Sequence, residues 1–251
     1  MSHPFAGGLA LITGASQRIG AAFARALAAR GVGVAVHYRT SAAPAEALVE
    51  ELRATGVPAG AFAADLDEVA QAERLFTEVT ECLGAPSILI HNASRYEPIS
   101  LAATDAEAMR RELAVHVESP VALSRAFAAA LPEGQPGRIV CMLDWRTSLP
   151  DPSVFPYTVS KSALHAMMRN LAVELGPDVT VNGVAPGAVL PASSKTGPPE
   201  TEEDLHRIAG GLPIDRPGSV ELVVEAAMFF IDGASYTTGA VIPVDGGRHL
   251  L

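Results

Sequence analysis

Cysteine is scarce in this chain of 251 residues, occurring only at Cys82 and Cys141. Two are too few for a disulfide framework, and they fall in a helical and a strand-like pattern, so both are expected to be reduced and structural. Positive charge is also short: 18 Lys and Arg stand against 28 Asp and Glu, a formal net charge of −10. That balance excludes a nucleic-acid surface, which needs clustered cations to displace counterions from phosphates, so any phosphate site has to be local. Long hydrophobic runs are missing too. The apolar run over residues 9–12 is too short for export or for spanning a bilayer, and the first eight residues lack a basic region followed by an apolar core, so no membrane partner and a cytoplasmic location are expected. Seven histidines occur without an HExxH pattern, and no CxxC is present, so no metal is expected.

What is present is an apolar supply, 49% of residues, with no low-complexity stretch or long polar linker to divide it. One domain over 1–251 is the expectation. Short runs rich in Val, Ile and Leu, at 9–13, 33–38, 59–63, 87–91, 138–143, 180–185 and 241–244, alternate with helical patterns at 18–30, 44–55, 68–83, 105–131, 157–175 and 219–231. This is how buried parallel strands alternate with crossover helices, and it predicts an α/β fold, a doubly wound, Rossmann-type parallel sheet of seven strands with helices on both faces. Residues 187–218 fit neither pattern. They carry repeated Gly and Pro, a polar Ser193-Ser194-Lys195-Thr196 run and one short helical candidate at 200–209, and read as a substrate lid following a strand end; the alternative is a variable surface excursion.

The first strand runs into Thr13-Gly14-Ala15-Ser16-Gln17-Arg18-Ile19-Gly20 and then an Ala-rich helix. Gly14 permits a tight turn, Gly20 lets helix and sheet approach, and the helix N-terminus directs a positive dipole end at a pyrophosphate, so Gly14, Gln17, Arg18 and Ile19 are cofactor candidates. Arg18 stands where a middle glycine is usual, beside both the phosphates and the approach of a substrate. A nicotinamide cofactor without the extra phosphate usually meets an Asp or Glu at the end of the second strand. Here that end reads His37-Tyr38-Arg39-Thr40-Ser41, without a carboxylate, and Arg39 with the hydroxyls of Thr40 and Ser41, next to Tyr38, suits the 2′-phosphate of NADPH. Asp65-Leu66 after the third strand is placed to bound the adenine, and Asn92-Ala93-Ser94 after the fourth to lie beside the ribose; each also reads as a plain turn.

Tyr157 and Lys161 stand four apart at the start of a helix and so share one face. A nearby ammonium lowers the proton affinity of a phenol, which makes Tyr157 a better proton donor. Alone this spacing is weak. Together TGASQRIG, HNAS, YTVSK, VNGVAPG and the terminal VDGG resemble the short-chain dehydrogenase/reductase family over nearly the whole chain. The resemblance implies NAD(P) at the first turn, Tyr157 as acid, Lys161 binding the ribose, the backbone of Pro186-Gly187 against the nicotinamide amide, and a homotetramer built partly through helices 105–131 and 157–175. Two positions depart from the family pattern: the Ser thirteen residues before the Tyr is Asp144, and the helix Asn is His116. Arg18, HYR on the second strand, NAS followed by an aromatic residue, and Asp for Ser resemble the pteridine reductase branch. That branch implies NADPH-dependent reduction of a small-molecule pterin or folate, a dihydropterin of dihydromonapterin or dihydrofolate type, by hydride transfer to a C=N bond. Asp144 and Tyr157 would then form a relay, Arg18 and Ser94 would lie near the pterin, and Tyr96 would stack over it. The plainer readings are a turn cap for Asp144, a satisfied core histidine for His116 and a loop aromatic for Tyr96. The competing functions are a general carbonyl or 3-ketoacyl reductase, which would carry Ser at 144, and a non-catalytic dinucleotide-binding sensor, against which retention of Tyr157 and Lys161 counts.

Overall fold

The computed structural model describes residues 3–190 and 201–251. Among them the seven apolar runs become strands β1 (Leu9–Ile12), β2 (Gly33–Tyr38), β3 (Ala59–Ala63), β4 (Ile88–His91), β5 (Gly137–Met142), β6 (Val179–Pro186) and β7 (Val241–Val244). They form one sheet in the order β3-β2-β1-β4-β5-β6-β7, parallel at every pairing. Between them run α1 (Arg18–Ala28), α2 (Ala42–Ala54), α3 (Val69–Leu83), α4 (Ala106–Leu113), α5 (Ser119–Ala130), α6 (Phe155–Glu174), α7 (Glu202–Ala209) and α8 (Val220–Asp232). The sheet is covered on both faces, which is why its strands carry no polar alternation. Ala10 and Ile12 point into a core shared with Phe23, Leu27 and Phe230, while Leu9 and Leu11 point into a second core with Leu75, Leu123 and Phe127. Phe23 and Phe127 are fully buried, each contributing roughly 1.5–3 kcal/mol over exposure.

The helical stretch expected over 105–131 is present as one uninterrupted run over 106–130, widened by a π-turn at Ala114–Glu118 between α4 and α5. Pro120 gives the reason: it has no N–H to offer the carbonyl of His116, and its ring crowds that carbonyl. The chain widens by one residue, Ser119 N–H bonds to Ala114 O, and α5 resumes. His116 is thereby turned inward and is completely buried. The expectation that both cysteines are structural holds in part, since Cys141 is buried on β5 but Cys82 is exposed on α3.

Within 187–218 the described portion contains α7, opened by a reciprocal capping box between Thr201 and Asp204. Residues 191–200, including the Ser193-Ser194-Lys195-Thr196 run, lie outside the described residues. Among the described residues no helix is long and apolar enough to cross a membrane.

Candidate active site

The strand order reverses between β1 and β4, and the loops leaving their C-terminal ends open the crevice where ligands of such sheets bind. Gly14 sits there at φ +62, and a Cβ at that position would lie 3.0 Å from Ala93 Cα on the facing loop. Gly20 is tighter, because its Cβ would stand 2.3 Å from Gly14 O. Helix α1 thus packs directly under the turn, with no side chain capping it at Gln17, and its positive end faces the crevice. Arg18 is the one non-glycine at positive φ (+55) among the described residues. Holding a side-chain-bearing residue there costs roughly 1–2 kcal/mol, a strain that collects at functional sites. Ile19 packs partly against the core that holds Phe23 and Leu27.

Asn92 directs both amide hydrogens to the turn, donating to Thr13 O and Gly14 O at 2.9 Å each. Its side chain therefore ties β4 to β1 rather than reaching outward. From β2, His37 Nδ1 accepts from Gly14 N–H at 2.9 Å and Nε2 lies 3.0 Å from Ala64 O, an arrangement that requires the neutral ring with its proton on Nε2. Burial lowers the pKa of His37 to about 4, and that of His91 on β4 to about 3. Both histidines take up protons on unfolding near pH 6.5, so their stabilising effect is complete above that value and is lost as pH falls toward 4. Stability is expected to drop by about 1.4 kcal/mol per pH unit for each in that window. Urea midpoints measured between pH 7 and 5 check this; a flat profile, or an equal slope in His37→Gln, would contradict it.

At the end of β2, Tyr38 is half-buried while Arg39 and Thr40 are exposed. Arg39 Nη1 lies 3.8 Å from Asp67, and Gln17 Nε2 donates to Ser41 Oγ at 3.0 Å. Asp65 closes its own turn by accepting from Asp67 N–H at 3.1 Å. Leu66 does not present a side chain to the crevice: it is buried in the lower core, and its carbonyl accepts from Ser119. At β6, Gly187 N–H donates to Val244 O at 2.9 Å, and a Cβ on Gly187 would lie 2.7 Å from Asp245 Cα, so this glycine is needed where the chain crosses the C-terminal loop.

Further along the crevice, the Tyr157 hydroxyl donates to Asp144 Oδ2 at 2.8 Å. The other oxygen of Asp144 caps a 3-10 turn by accepting from Arg146 N–H at 2.8 Å, so the carboxylate caps a turn and meets the phenol at once. The Tyr96 ring stands edge-on to Tyr157, centroids 5.0 Å apart. Lys161 departs from expectation. Its ammonium donates to Met142 O at 2.8 Å and lies 5.7 Å from the centre of the Tyr157 ring, and its own pKa is lowered by burial to about 8. Burial, then the Asp144 carboxylate, push the Tyr157 phenol well above its ordinary range, the opposite of the lowering expected from Lys161. The phenol keeps its proton because it is buried and, beyond that, because the charge nearest it is negative.

A family model described as enoyl-(acyl carrier protein) reductase matches residues 14–249. An oxidoreductase of Methylorubrum extorquens is 33% identical over 243 residues, covering 96% of this chain and 97% of the relative. The 3-oxoacyl-[acyl-carrier-protein] reductase of Pseudomonas aeruginosa is 30% identical over 246 residues, 97% and 98% of the two chains. The chain belongs to the short-chain dehydrogenase/reductase family. Among solved structures, alternative dihydrofolate reductase 1 of Brucella canis complexed with NADP superposes with a TM-score of 0.90 at 33% identity, over 98% of this chain and 96% of that one. Like its relatives in the family, the chain is an oxidoreductase with the seven-stranded parallel sheet.

Several residues of the site went unread in the sequence. Arg146 pairs with Asp144 at 3.3 Å and Asp151 at 3.0 Å, and its Nη2 donates to the Tyr96 hydroxyl at 3.4 Å. Its guanidinium and that of Arg248 lie over Trp145 at 4.5 and 4.6 Å. Asp67 carries both Arg39 and Arg95. Arg146 meets Asp144 and Asp151 within its own loop, whereas its contact with Tyr96 and those of Asp67 with Arg39 and Arg95 join segments far apart in sequence. Glu112 did leave a signal: it stands four residues before His116 on an otherwise inward helical face.

Proposed function

We propose that the chain is an NADPH-dependent reductase of a dihydropterin, of dihydromonapterin or dihydrofolate type, acting on a ring C=N bond. The observation that carries this reading is the 2.8 Å hydrogen bond from Tyr157 to Asp144, a carboxylate where the family usually has Ser, beside the Tyr96 ring. A ketone needs its oxygen polarised and protonated, whereas a C=N bond needs a proton on nitrogen, and a carboxyl–phenol pair suits that task.

The residues fit the cofactor. The glycine cradle at Gly14 and Gly20, with the positive end of α1 below it, suits a pyrophosphate. Arg39, Thr40 and Ser41 would hold the 2′-phosphate, Asp65 would bound the adenine, and Lys161 would reach the ribose. Bound NADPH supplies the hydride. Tyr157 holds the proton until the acceptor nitrogen becomes basic, and Asp144 orients the phenol. Once the phenol proton leaves, the Arg146 guanidinium offsets the charge on the oxygen. Arg18, at the mouth of the glycine turn, and Tyr96 orient the pterin ring. Relatives such as the Pseudomonas ketoacyl reductase support a second reading, a carbonyl reductase, against which Asp144 weighs.

A homotetramer built partly through α5 and α6 belongs to the same reading. Val121 on α5 and Val173 on α6 are exposed on one side of the molecule, and Phe229 on α8 is exposed elsewhere.

The test is NADPH oxidation by purified protein with dihydromonapterin, dihydrofolate, a simple ketone and a 3-ketoacyl thioester. Turnover with a dihydropterin is expected. Turnover with the carbonyl compounds alone would replace this reading by the second one.

A further inference from the structure

Glu112 is a carboxyl group in the wrong place for a carboxylate. It is 1% exposed, and neither side-chain oxygen has a hydrogen-bond partner among the described residues. Its closest polar neighbour is His116, whose Nδ1 lies 3.2 Å from Oε2 yet is aligned on Ser160 Oγ at 2.8 Å. The opposite ring nitrogen of His116 lies 2.9 Å from Ser94 Oγ, and Ser94 is exposed in the crevice. A line of polar atoms therefore runs from a sealed carboxyl group to the open cleft, hydrogen-bonded from His116 outward, passing under the edge of Tyr157, whose ring centre is 5.6 Å from that of His116.

The imidazole has one proton to place on two nitrogens. With the proton on Nδ1, Nε2 is an acceptor, taking Arg95 N–H at 3.4 Å and the Ser94 hydroxyl. The Ser94 proton is then turned away from the cleft. With the proton on Nε2, His116 donates to Ser94 Oγ in place of accepting from Arg95 N–H, and the Ser94 hydroxyl, 3.3 Å from Arg95 O, can turn its proton from that carbonyl to a ligand. Nδ1 then needs a donor. The Ser160 hydroxyl is committed to Tyr157 O at 2.8 Å, and the donor left is the O–H of a protonated Glu112. We propose that Glu112 is a positioning residue that stores a proton and, through His116, sets whether Ser94 acts as a hydrogen-bond donor to a ligand in the cleft. The inference rests on the reading of this cleft as the reductase site.

The transfer balances. As water at the cleft takes the Ser94 proton, the Nε2–H bond breaks and Ser94 O–H re-forms, while the Glu112 O–H bond breaks and Nδ1–H forms. Glu112 is left a carboxylate and recovers its proton from water along the same line, entering at exposed Ser94. The surroundings suit both forms: burial raises the Glu112 pKa to about 8, while Arg95 on the loop after β4, Lys161 on α6 and Arg111 on α4 favour the anion and Glu97 opposes it. His116 stays neutral throughout, since burial and then Lys161 and Arg95 hold its pKa well below the ordinary range.

The experiment compares wild type, Glu112→Gln, Ser94→Ala and the double variant in NADPH-driven dihydropterin reduction as pH rises. Wild-type kcat/KM is expected to fall about tenfold per pH unit above about 8, as Glu112 loses its proton. The side-chain amide of Glu112→Gln offers an N–H at every pH, so in that variant the fall is displaced to higher pH. A purely electrostatic role predicts the reverse, because removing a carboxylate near Lys161 lowers the ammonium pKa and moves the fall to lower pH. In Ser94→Ala the fall is displaced likewise, and the double variant matches Ser94→Ala alone. An identical or acid-shifted profile in Glu112→Gln, or additive losses, overturns the inference. Infrared spectra give a readout without turnover: a carboxylic acid C=O band that titrates near pH 8 in wild type and is missing in Glu112→Gln. If wild type reduces no dihydropterin, the functional reading fails, while the infrared band still decides for or against the stored proton.

Discussion

Tyr157→Phe is expected to retain NADPH and to lower kcat for dihydropterin reduction by about 10²–10⁴-fold, the range for removal of a positioned proton donor. The substitution takes away one oxygen and leaves the ring, so the edge-on contact with Tyr96 and the packing on His116 persist. What is lost is the hydrogen bond to Asp144 and the proton it carries. Since burial and Asp144 hold the phenol protonated, the loss should be equally large across neutral pH rather than confined to one limb of the profile. Cofactor fluorescence titration and steady-state rates measured on the same preparation check both halves. A wild-type rate in the variant would remove Tyr157 from the reaction, and lost cofactor binding would reassign it to holding the nucleotide.

Arg39→Ala is expected to weaken NADPH by about 10- to 100-fold and NADH far less, in keeping with about 1.5–3 kcal/mol for a hydrogen bond to a charged group. Asp67 makes the outcome more informative. It lies 3.8 Å from Arg39 and also pairs with Arg95, which leads into the Tyr96 loop. Bound 2′-phosphate and Asp67 would compete for the same guanidinium, and both charges are negative. Removing Arg39 therefore leaves the phosphate facing an acid, and the discrimination between the two dinucleotides should invert or vanish. Isothermal titration with each cofactor decides the matter, and equal losses for both would place the 2′-phosphate elsewhere.

The fold was readable in local pattern because a parallel sheet buried on both faces needs nothing subtler than apolar runs separated by helical ones. Strands β2, β3 and β7 fall where the runs place them, and the rest within about two residues. The glycine turn was legible for the same reason: Gly14 and Gly20 answer to backbone sterics within one strand–turn–helix unit. The long helix was legible, but its π-turn before Pro120 was not, because a proline inside a helical pattern reads equally as a break, a kink or a widened turn, and packing selects among them. Leu66 misled in a similar way. Its neighbour Asp65 lies at a strand end, but a one-residue step around that turn sends the leucine into the core.

Residue types and spacings by themselves determined the layers of this protein, the strand-to-helix turn that cradles a dinucleotide, and the presence of Tyr157, Lys161 and Asp144 within reach of one helix start. Tertiary structure alone decided which groups touch: that the ammonium of Lys161 goes to Met142 O, that the phenol answers to Asp144, that Arg146 closes the far side, and that Glu112 is sealed behind His116. The reason is range. Backbone preference and burial act within a few residues and leave a periodic trace, whereas the charge state of a buried group depends on desolvation and on partners from distant loops, which no local pattern records.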